Sequence, residues 1–445
     1  MGVEHTKQQD RHFDRWALVL IGALIVAFGV VVPPFQVADE HAHFIRAYEV
    51  SRGQWVGVNA PVLPADVIRY IRHYPEKMEW LKKPNPDDDS VAPFSPVGDH
   101  YWLGRGVIAA NVYCPIAYLP ASLAMLVGRM AGASPAILLY AARFANAVLF
   151  LAGCYLAMRA APAYRLTIAA VALLPTTLHQ CAAVSADVVT VSVSFVLVAL
   201  LLRLRDCSDG ARTKIGLAVA FVLLILCKLS PWAFVALFLI SPKAFASQKQ
   251  WLSYIAVVAA LMLACAGLWH VASASSLEAF RAVRLADGFD MTARTQEILQ
   301  HPFRVGLFLT TYFLRHFPRY IVTWLGAFGW THFYIPLWIQ PITLLLLLVV
   351  AATEAGGKTF SRIERLLWVA VFAVGIVFIH LALFVSQDLD GVQGRYLTPF
   401  CLFGLLALRQ TRFVVSRATL ARVVVGYGLV HGVVSVIWLV GAYYY

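Results

Sequence analysis

The chain has 445 residues, of which 60% are hydrophobic and 13% are charged. No soluble globular domain of this size has that composition, so the sequence predicts an all-α integral membrane protein with several spans. The net charge of +12 is also seen in nucleic-acid-binding proteins. Here, however, the basic residues flank apolar runs, where orientation signals and anionic lipid headgroups explain them. We therefore expect the lipid bilayer, and not nucleic acid, as a partner.

The first predicted membrane span covers residues 16–32, after a polar N-terminal segment of residues 1–15. The span contains no charged residue and is long enough to cross about 30 Å of hydrocarbon. It lacks the small-residue cleavage site of a signal peptide, so we expect it to be retained. Pro33 and Pro34 then stop the helix. Lysine and arginine in the N-terminal segment place that segment in the cytoplasm.

Residues 33–110 are consequently predicted to form a large extracytoplasmic loop. The loop holds ten of the chain's 24 acidic residues, and the adjacent pair Asp39 and Glu40 lies near its start. Carboxylates at a membrane face are costly and usually serve chemistry or ion handling, although a solvated acidic loop is the simpler alternative. Residues 65–80 have the pattern of an amphipathic helix, whereas residues 83–89 do not.

The rest of the chain is predicted to contain a transmembrane core, an extracytoplasmic or interfacial region, and C-terminal transmembrane helices. These parts cover residues 111–270, 271–333 and 334–445, respectively. About 11–13 transmembrane or re-entrant segments are expected in all. Spans are predicted near residues 185–202, 251–270, 335–352, 366–385, 397–408 and 423–443. Basic loops at residues 203–214, 358–365 and 409–422 are predicted to be cytoplasmic.

Two regions do not fit full crossings. The apolar stretches 112–128 and 136–158 give an inconsistent number of crossings, so one of them must be broken, re-entrant or interfacial. The stretches 215–227 and 232–240 are too short to span, and they are predicted to form a hairpin with Lys228 at its tip. Short helices at membrane depth are tolerated only when they are buried in protein or line a wet cavity.

Polar residues at the predicted outer ends of these segments indicate a common site. A carboxylate can take the proton from an attacking hydroxyl as a general base. Arginine and lysine can hold a phosphate and stabilise the charge that develops on it. The candidates are Asp39, Glu40, His41, His43, Arg46, Asp187, Lys228, Gln393, Arg395 and Tyr396. The four that we predict to converge on one outward-facing cavity are Asp39, Asp187, Lys228 and Arg395.

Three of these candidates also have a purely structural explanation. Asp187 could cap the helix that begins beside it. Lys228 could extend along apolar surface to reach the membrane interface. Arg395 could be a surface anchor beside a tight turn made by two glycines.

A metal site is a further alternative that the sequence leaves open. Asp39, His41 and His43 could bind a divalent metal ion from a loop, but three ligands of this kind alone are a weak signal. The seven cysteines are scattered and form no C-x-x-C pair, which disfavours a thiolate site. The cofactor therefore stays unknown, with a divalent metal ion as one candidate.

Several motifs follow one another in the order seen in a bacterial family of predicted membrane proteins of unknown function. The most specific are the opening Pro-Pro-Phe-Gln-Val-Ala-Asp-Glu of residues 33–40 and the Gly-Val-Gln-Gly-Arg-Tyr of residues 391–396. The others lie at residues 42–44, 46–48, 113–120, 140–146, 174–175, 185–187, 228 and 328–330. The chain resembles this family from about residue 30 to residue 400. The family in turn is similar to the GT-C superfamily of glycosyltransferases, multi-span enzymes that use sugars linked to polyprenyl phosphate.

The resemblance implies a GT-C-like bundle that transfers a sugar from a polyprenyl-phosphate donor to a glycan acceptor of the cell envelope, or to lipid or protein. The reaction would take place at the outer face of the bacterial cytoplasmic membrane. Asp39 would be the general base, with Glu40 beside it. The donor phosphate would be bound by Lys228, Arg395 and Arg46, and other substrate contacts would come from Asp187, Gln393, Tyr396 and His43.

Two other functions remain open at this point. A transporter or flippase of a lipid-linked glycan would explain the spans and the internal cations, but not a large acidic outer loop. A structural subunit of an envelope-assembly complex would need no chemistry at Asp39. No glycine-rich nucleotide motif or P-loop is visible in the sequence, which agrees with a donor that is already activated on a lipid.

Overall fold

The structure is a computed structural model that describes residues 2–57, 63–74, 108–207, 210–410 and 415–445. Within these ranges the chain is almost entirely helical, with one short antiparallel hairpin of strands β1 (Ala327–Phe328) and β2 (Phe333–Tyr334). The predicted all-α membrane fold is confirmed. The amphipathic helix predicted at residues 65–80 is present as far as His73. The segment 83–89 lies outside the described residues.

The helices are numbered here in chain order, with their bounds. They are α1 (Gly2–Val31), α2 (Glu40–Ser51), α3 (Ala65–His73), α4 (Leu119–Met130), α5 (Pro135–Ala160), α6 (Arg165–Ala172), α7 (Pro175–Cys181), α8 (Ala186–Cys207), α9 (Ala211–Cys227), α10 (Trp232–Ala236), α11 (Gln248–Ala272), α12 (Ala274–Ala286), α13 (Met291–Gln300), α14 (Pro302–Gly326), α15 (Ile339–Thr353), α16 (Arg362–Ser386), α17 (Cys401–Ala407) and α18 (Arg417–Tyr444).

Six helices in the described part of the chain are long and apolar enough to cross a membrane, namely α1 from His12 onward, α5, α8, α11, α16 and α18. The described residues thus contain fewer full spans than the 11–13 predicted segments, because several of those segments fold as short helices. The span predicted at residues 397–408 is wrong. That segment forms a 3-10 turn, Gly394–Leu397, and the seven-residue helix α17, whose apolar side chains are buried in the protein core.

The structure explains both regions of the sequence that do not fit full membrane crossings. In the first, α4 has only 12 residues and follows the 3-10 turn Pro115–Tyr118, whereas α5 is long enough to cross. In the second, α9 and the five-residue helix α10 are joined at Lys228, as predicted for a hairpin with short arms. The short helices α6 and α7 are buried along their whole length. Burial in protein is what allows such broken backbone at membrane depth.

Helix α5 packs against α1 on one side and against α8 on the other, and α8 is the most buried of the six long apolar helices. A large apolar core joins them to α6, α17 and α18. A second core lies where α2 and α3 pack on α4 and α5. This second core orders the start of the predicted extracytoplasmic loop, because it buries every residue of α2.

The segments predicted to be cytoplasmic meet at one end of the bundle. Arg205 forms an ion pair with Glu364 and donates to the carbonyl of Lys358, and Arg165 forms an ion pair with Asp14 at 2.8 Å. From Asp14, α1 runs about 26 Å to its last residue, at 1.5 Å per residue. The loop that holds Asp39 is therefore at the opposite end of the bundle from the basic loops.

Candidate functional site

A cavity of about 320 Å³ lies at the end of the bundle away from the basic loops. Its polar wall is lined by Asp39, His43, Asp187, Lys228, Arg395 and Tyr396. The predicted convergence of four side chains from distant parts of the sequence is thus confirmed. The side of the membrane that the cavity faces stays a prediction from the distribution of positive charge.

Asp39 owes its orientation to an unusual backbone conformation. It immediately precedes α2 and has φ of 66°, in the left-handed region that aspartate tolerates better than most residues. An aspartate at this position commonly caps the helix that follows, but the Asp39 side chain makes no capping hydrogen bond. Its carboxylate instead accepts a hydrogen bond from Arg395, with Nη2 2.7 Å from Oδ2. The strained backbone therefore directs the carboxylate to the cavity.

The surroundings keep Asp39 ionised and His43 neutral. Partial removal from water raises the pKa of Asp39, but the Arg395 guanidinium opposes this effect and holds the pKa below the ordinary value of 3.8. Burial lowers the pKa of His43 to about 4, and its Nδ1 lies 2.8 Å from the hydroxyl of Tyr118. The ion pair of Asp39 stabilises the folded state above pH 3.8, and this stabilisation is lost as the pH falls through the lowered pKa.

Asp187 and Lys228 form the second ion pair of the cavity. The hydroxyl of Ser185 accepts a hydrogen bond from the Asp187 backbone N–H, so Ser185 and not Asp187 caps the start of α8. The ammonium of Lys228 lies over the rings of Tyr113 and Tyr396, at 5.5 and 5.8 Å from their centroids. Lys228 is therefore held inside the cavity by a carboxylate and two aromatic rings.

Gln180, which the sequence analysis missed, connects the two ion pairs. Its Nε2 donates to Asp187 Oδ2 at 3.0 Å, and its Oε1 accepts from Arg395 Nη1 at 3.2 Å. The amide thus uses both its donor and its acceptor to link a carboxylate with a guanidinium. A polar residue within the buried apolar stretch of α7 is the signal that could have identified it.

Arg395 reaches the cavity because Gly394 allows the chain to lie directly on α14. A Cβ at Gly394 would lie 2.2 Å from the Trp324 backbone nitrogen and 2.3 Å from the Tyr320 carbonyl oxygen. The Gly394 N–H donates to the hydroxyl of Thr323 at 2.9 Å. Arg395 is therefore fixed by close backbone packing and is not a surface anchor.

Gly394→Ala is expected to destabilise the protein by at least about 1–3 kcal/mol, because a helix backbone cannot move aside as a side chain can. The matched control is Gly391→Ala, where the added Cβ would meet the flexible side chain of Gln387 at 2.7 Å. Thermal unfolding of the two purified variants measures the difference. Equal melting temperatures would show that Gly394 is not needed to place Arg395.

Glu40 does not line the cavity, so its predicted catalytic role stays a prediction that the geometry does not support. The side chain is fully buried, and its carboxylate accepts two hydrogen bonds from Arg143, at 2.8 and 2.6 Å. Backbone N–H groups of Phe35 and Val184 donate to the same carboxylate at 3.0 Å. Arg143 also donates to three carbonyls at the end of α1. This pair fastens α1, α2 and α5 together.

Two further candidates are placed away from the cavity. Arg46 is fully buried and donates to the carbonyls of Gln54 and Trp55 and to Glu49, so it holds the chain that follows α2 and is unsuited to the donor phosphate. Gln393 lines a separate polar cavity of about 20 Å³ behind Arg395, and so it does not line the main cavity.

The predicted metal ligands are not grouped. His41 and His43 are two residues apart at the start of a helix, so their side chains point in different directions. His41 is buried and stacks on Trp330, with ring centroids 6.1 Å apart, whereas His43 faces the cavity. In the part of the chain that the structure describes, no three His, Cys, Asp or Glu side chains are placed to hold a metal ion.

The remaining wall of the cavity is apolar. It is formed mainly by α16, together with one residue of α12 and the residue that precedes α17, through Phe280, Phe378, Ile379, Ala382, Leu383 and Phe400. Arg284 lies at its edge and forms an ion pair with Asp287 at 3.7 Å. One cavity therefore offers charged groups at one side and an aromatic and aliphatic surface at the other.

The fold and the site define a polytopic all-α membrane protein with a charged cavity at one end of its bundle. The chain matches the family model described as Predicted membrane protein (DUF2142) over residues 20–403, and it belongs to that family. No curated protein and no solved structure matches it. The family description names no activity.

Proposed function

We propose that the protein is a membrane glycosyltransferase that moves a sugar from a polyprenyl-phosphate donor to a cell-envelope glycan acceptor. The observation that carries the proposal is the two-sided cavity, which pairs Asp39–Arg395 and Asp187–Lys228 with an apolar wall on α12 and α16. A lipid-linked sugar phosphate likewise has a polar part and an apolar part, namely an anionic, hydroxyl-rich head and a hydrocarbon chain. The outer face of the cytoplasmic membrane is the expected side of reaction, because the basic loops gather at the other end.

The reaction would break one bond and form one. The bond between the sugar's anomeric carbon and the phosphate oxygen breaks, and the electron pair leaves with the polyprenyl phosphate. The acceptor hydroxyl oxygen bonds to the anomeric carbon, and its proton passes to Asp39 as general base. Lys228 and Arg395 would stabilise the negative charge on the leaving phosphate.

Donor binding would itself make Asp39 a better base. In the protein alone, Arg395 holds the pKa of Asp39 below 3.8. A donor phosphate that bonds to Arg395 would share the guanidinium and add a negative charge nearby. Both effects raise the pKa of the carboxylate, which brings its basicity closer to the working pH only when the donor is in place.

The direct test is a transfer assay with the purified full-length protein in lipid vesicles. Polyprenyl-phosphate hexoses and pentoses labelled in the sugar are supplied with an envelope glycan extract. The proposal requires equal amounts of glycosylated acceptor and released polyprenyl phosphate. Movement of the intact labelled lipid across the bilayer, without cleavage, would show a flippase. If none of the supplied donors or acceptors is changed, the proposed sugar transfer is wrong.

Lys228→Met and Arg395→Gln are expected to weaken donor binding and to spare the acceptor. Loss of one charge-assisted hydrogen bond to the phosphate should cost about 1.5–3 kcal/mol, which appears as a donor KM raised roughly tenfold or more. Steady-state kinetics with each substrate varied separately measure this effect.

Lys243→Met and Arg362→Gln are the matched controls, since both positions are exposed and neither lines the cavity. Melting temperatures establish that the cavity variants remain folded. A rise confined to the acceptor KM would show that Lys228 and Arg395 bind the acceptor. Unchanged kinetics would show that both residues have only structural roles.

A further inference from the structure

A second large cavity lies at the opposite end of the bundle from the proposed catalytic site. It is a groove of about 490 Å³ between the first helix, α1, and the last, α18. The groove is distinct from the sugar-transfer site and shares no lining residue with it. Its floor is apolar and is formed around Phe13, Trp16 and Val425, and its rim carries Arg417 and Arg422.

The groove lies where two membrane spans begin. The apolar part of α1 starts at His12, and that of α18 starts at Arg417. Trp16 is 60% exposed beside the groove, and tryptophan is enriched at the headgroup level of membranes. The rim of the groove is thus expected at the level of lipid phosphates, and its floor at the level of acyl chains.

The charged side chains at the rim are both basic, and the carboxylate that interacts with Arg417, Glu354, is buried outside the groove. Arg417 is held in place by a hydrogen bond to the carbonyl of Pro162. Arg422 is exposed and makes no hydrogen bond or ion pair with any residue that the structure describes. Among the lining side chains that the structure describes, none is acidic. Two guanidinium groups above an apolar floor are complementary to a phosphate that carries a hydrocarbon chain.

We propose that this groove is a binding site for an anionic phospholipid. The phosphate of the headgroup bonds to Arg417 and Arg422, and one acyl chain lies along the apolar floor between α1 and α18. A soluble phosphate would satisfy only the rim, whereas the floor requires a chain. The inference does not depend on the proposed glycosyl transfer, because the groove lies at the other end of the bundle.

Gly426 offers a way to fill the groove without disturbing the fold. It lines the groove, and a Cβ built on it meets no atom within 4 Å. Gly441 lies on the same helix, α18, away from the groove, and is equally open. Gly426→Trp and Gly441→Trp are therefore a matched pair that differs only in whether the new ring occupies the groove.

The experiment counts lipids retained by the full-length protein in mild detergent, using native mass spectrometry with titrated phosphatidylglycerol, phosphatidylcholine or inorganic phosphate. Wild type and Gly441→Trp should retain phosphatidylglycerol in preference to phosphatidylcholine. Gly426→Trp should lose that lipid, and Arg422→Gln should bind it about tenfold more weakly, the effect of one charge-assisted hydrogen bond. Arg362→Gln, an exposed arginine on α16, is the control for general surface charge.

Three outcomes would overturn the proposal. Equal retention of phosphatidylglycerol by wild type, Gly426→Trp and Arg422→Gln would show that the lipid binds elsewhere. Equal retention of the anionic and the zwitterionic lipid would show that the arginines do not select a headgroup. If Arg362→Gln weakens phosphatidylglycerol binding as much as Arg422→Gln does, the effect depends on the overall charge of the protein and not on the groove.

Discussion

Replacing Asp39 with asparagine is expected to lower sugar transfer by about a hundredfold or more while the protein stays folded, because the base is lost. Asparagine has nearly the same shape, and its amide oxygen can still accept the hydrogen bond that Arg395 donates to Asp39. The change therefore removes the charge and the proton acceptor and little else. Transfer from a polyprenyl-phosphate sugar, measured with purified protein, is the test.

Asp66→Asn is the matched control, since Asp66 is exposed on α3 and lies outside the cavity. Wild-type transfer by Asp39→Asn would remove the general-base assignment. Loss of transfer together with a large drop in melting temperature would make Asp39 a structural residue.

The pH dependence of the wild-type protein gives a further prediction. Protonation of His43 should not lower kcat/KM for the donor until the pH falls to about 4, because the pKa of His43 is about 4.

Replacing Glu40 with glutamine is expected to lower the free energy of unfolding by about 3–5 kcal/mol, since it leaves a buried arginine without its counter-charge. Arg143 and Glu40 are 3% and 0% exposed, so water cannot take the place of the carboxylate. Because Arg143 also binds carbonyls at the end of α1, the loss should loosen the contact between α1 and α5. Denaturant and thermal unfolding in detergent measure the effect.

Glu278→Gln, an exposed and isosteric change on α12, is the control for charge removal. The combination of Glu40→Gln with Arg143→Met should cost less than the sum of the two single changes, since the pair acts as a unit. Wild-type stability of Glu40→Gln, together with loss of transfer, would instead make Glu40 a catalytic residue. Replacing Asp39 is thus expected to lower transfer and to leave stability unchanged, whereas replacing the adjacent Glu40 is expected to lower stability.

Much of the fold follows from local sequence signals. Pro33 and Pro34 end α1, and four of the six predicted later spans correspond to the long helices α8, α11, α16 and α18. The segment 397–408 was misjudged for a physical reason. Apolar composition does not distinguish a helix that faces lipid from one that is buried in protein, and α17 is buried.

The candidate site was predictable only in part. Asp39, Asp187, Lys228 and Arg395 could be found because charged residues at membrane boundaries prefer a shared polar site. The role of Glu40 could not be found, because it depends on Arg143, which is 103 residues away in sequence. The helix that begins at Glu40 also separates His41 from His43, which no spacing rule for a loop would predict.

The four charged groups of the cavity have a consequence for how a substrate arrives. Two carboxylates and two cations cancel, and Arg284 at the edge is balanced by Asp287. A neutral cluster has little field beyond about 8–10 Å at physiological ionic strength, so it cannot draw a distant anion through water. The proposed donor would therefore be captured from the plane of the bilayer, with its polyprenyl chain entering first along the apolar wall. Its phosphate would meet Lys228 and Arg395 only on arrival, by exchanging partners with carboxylates already there.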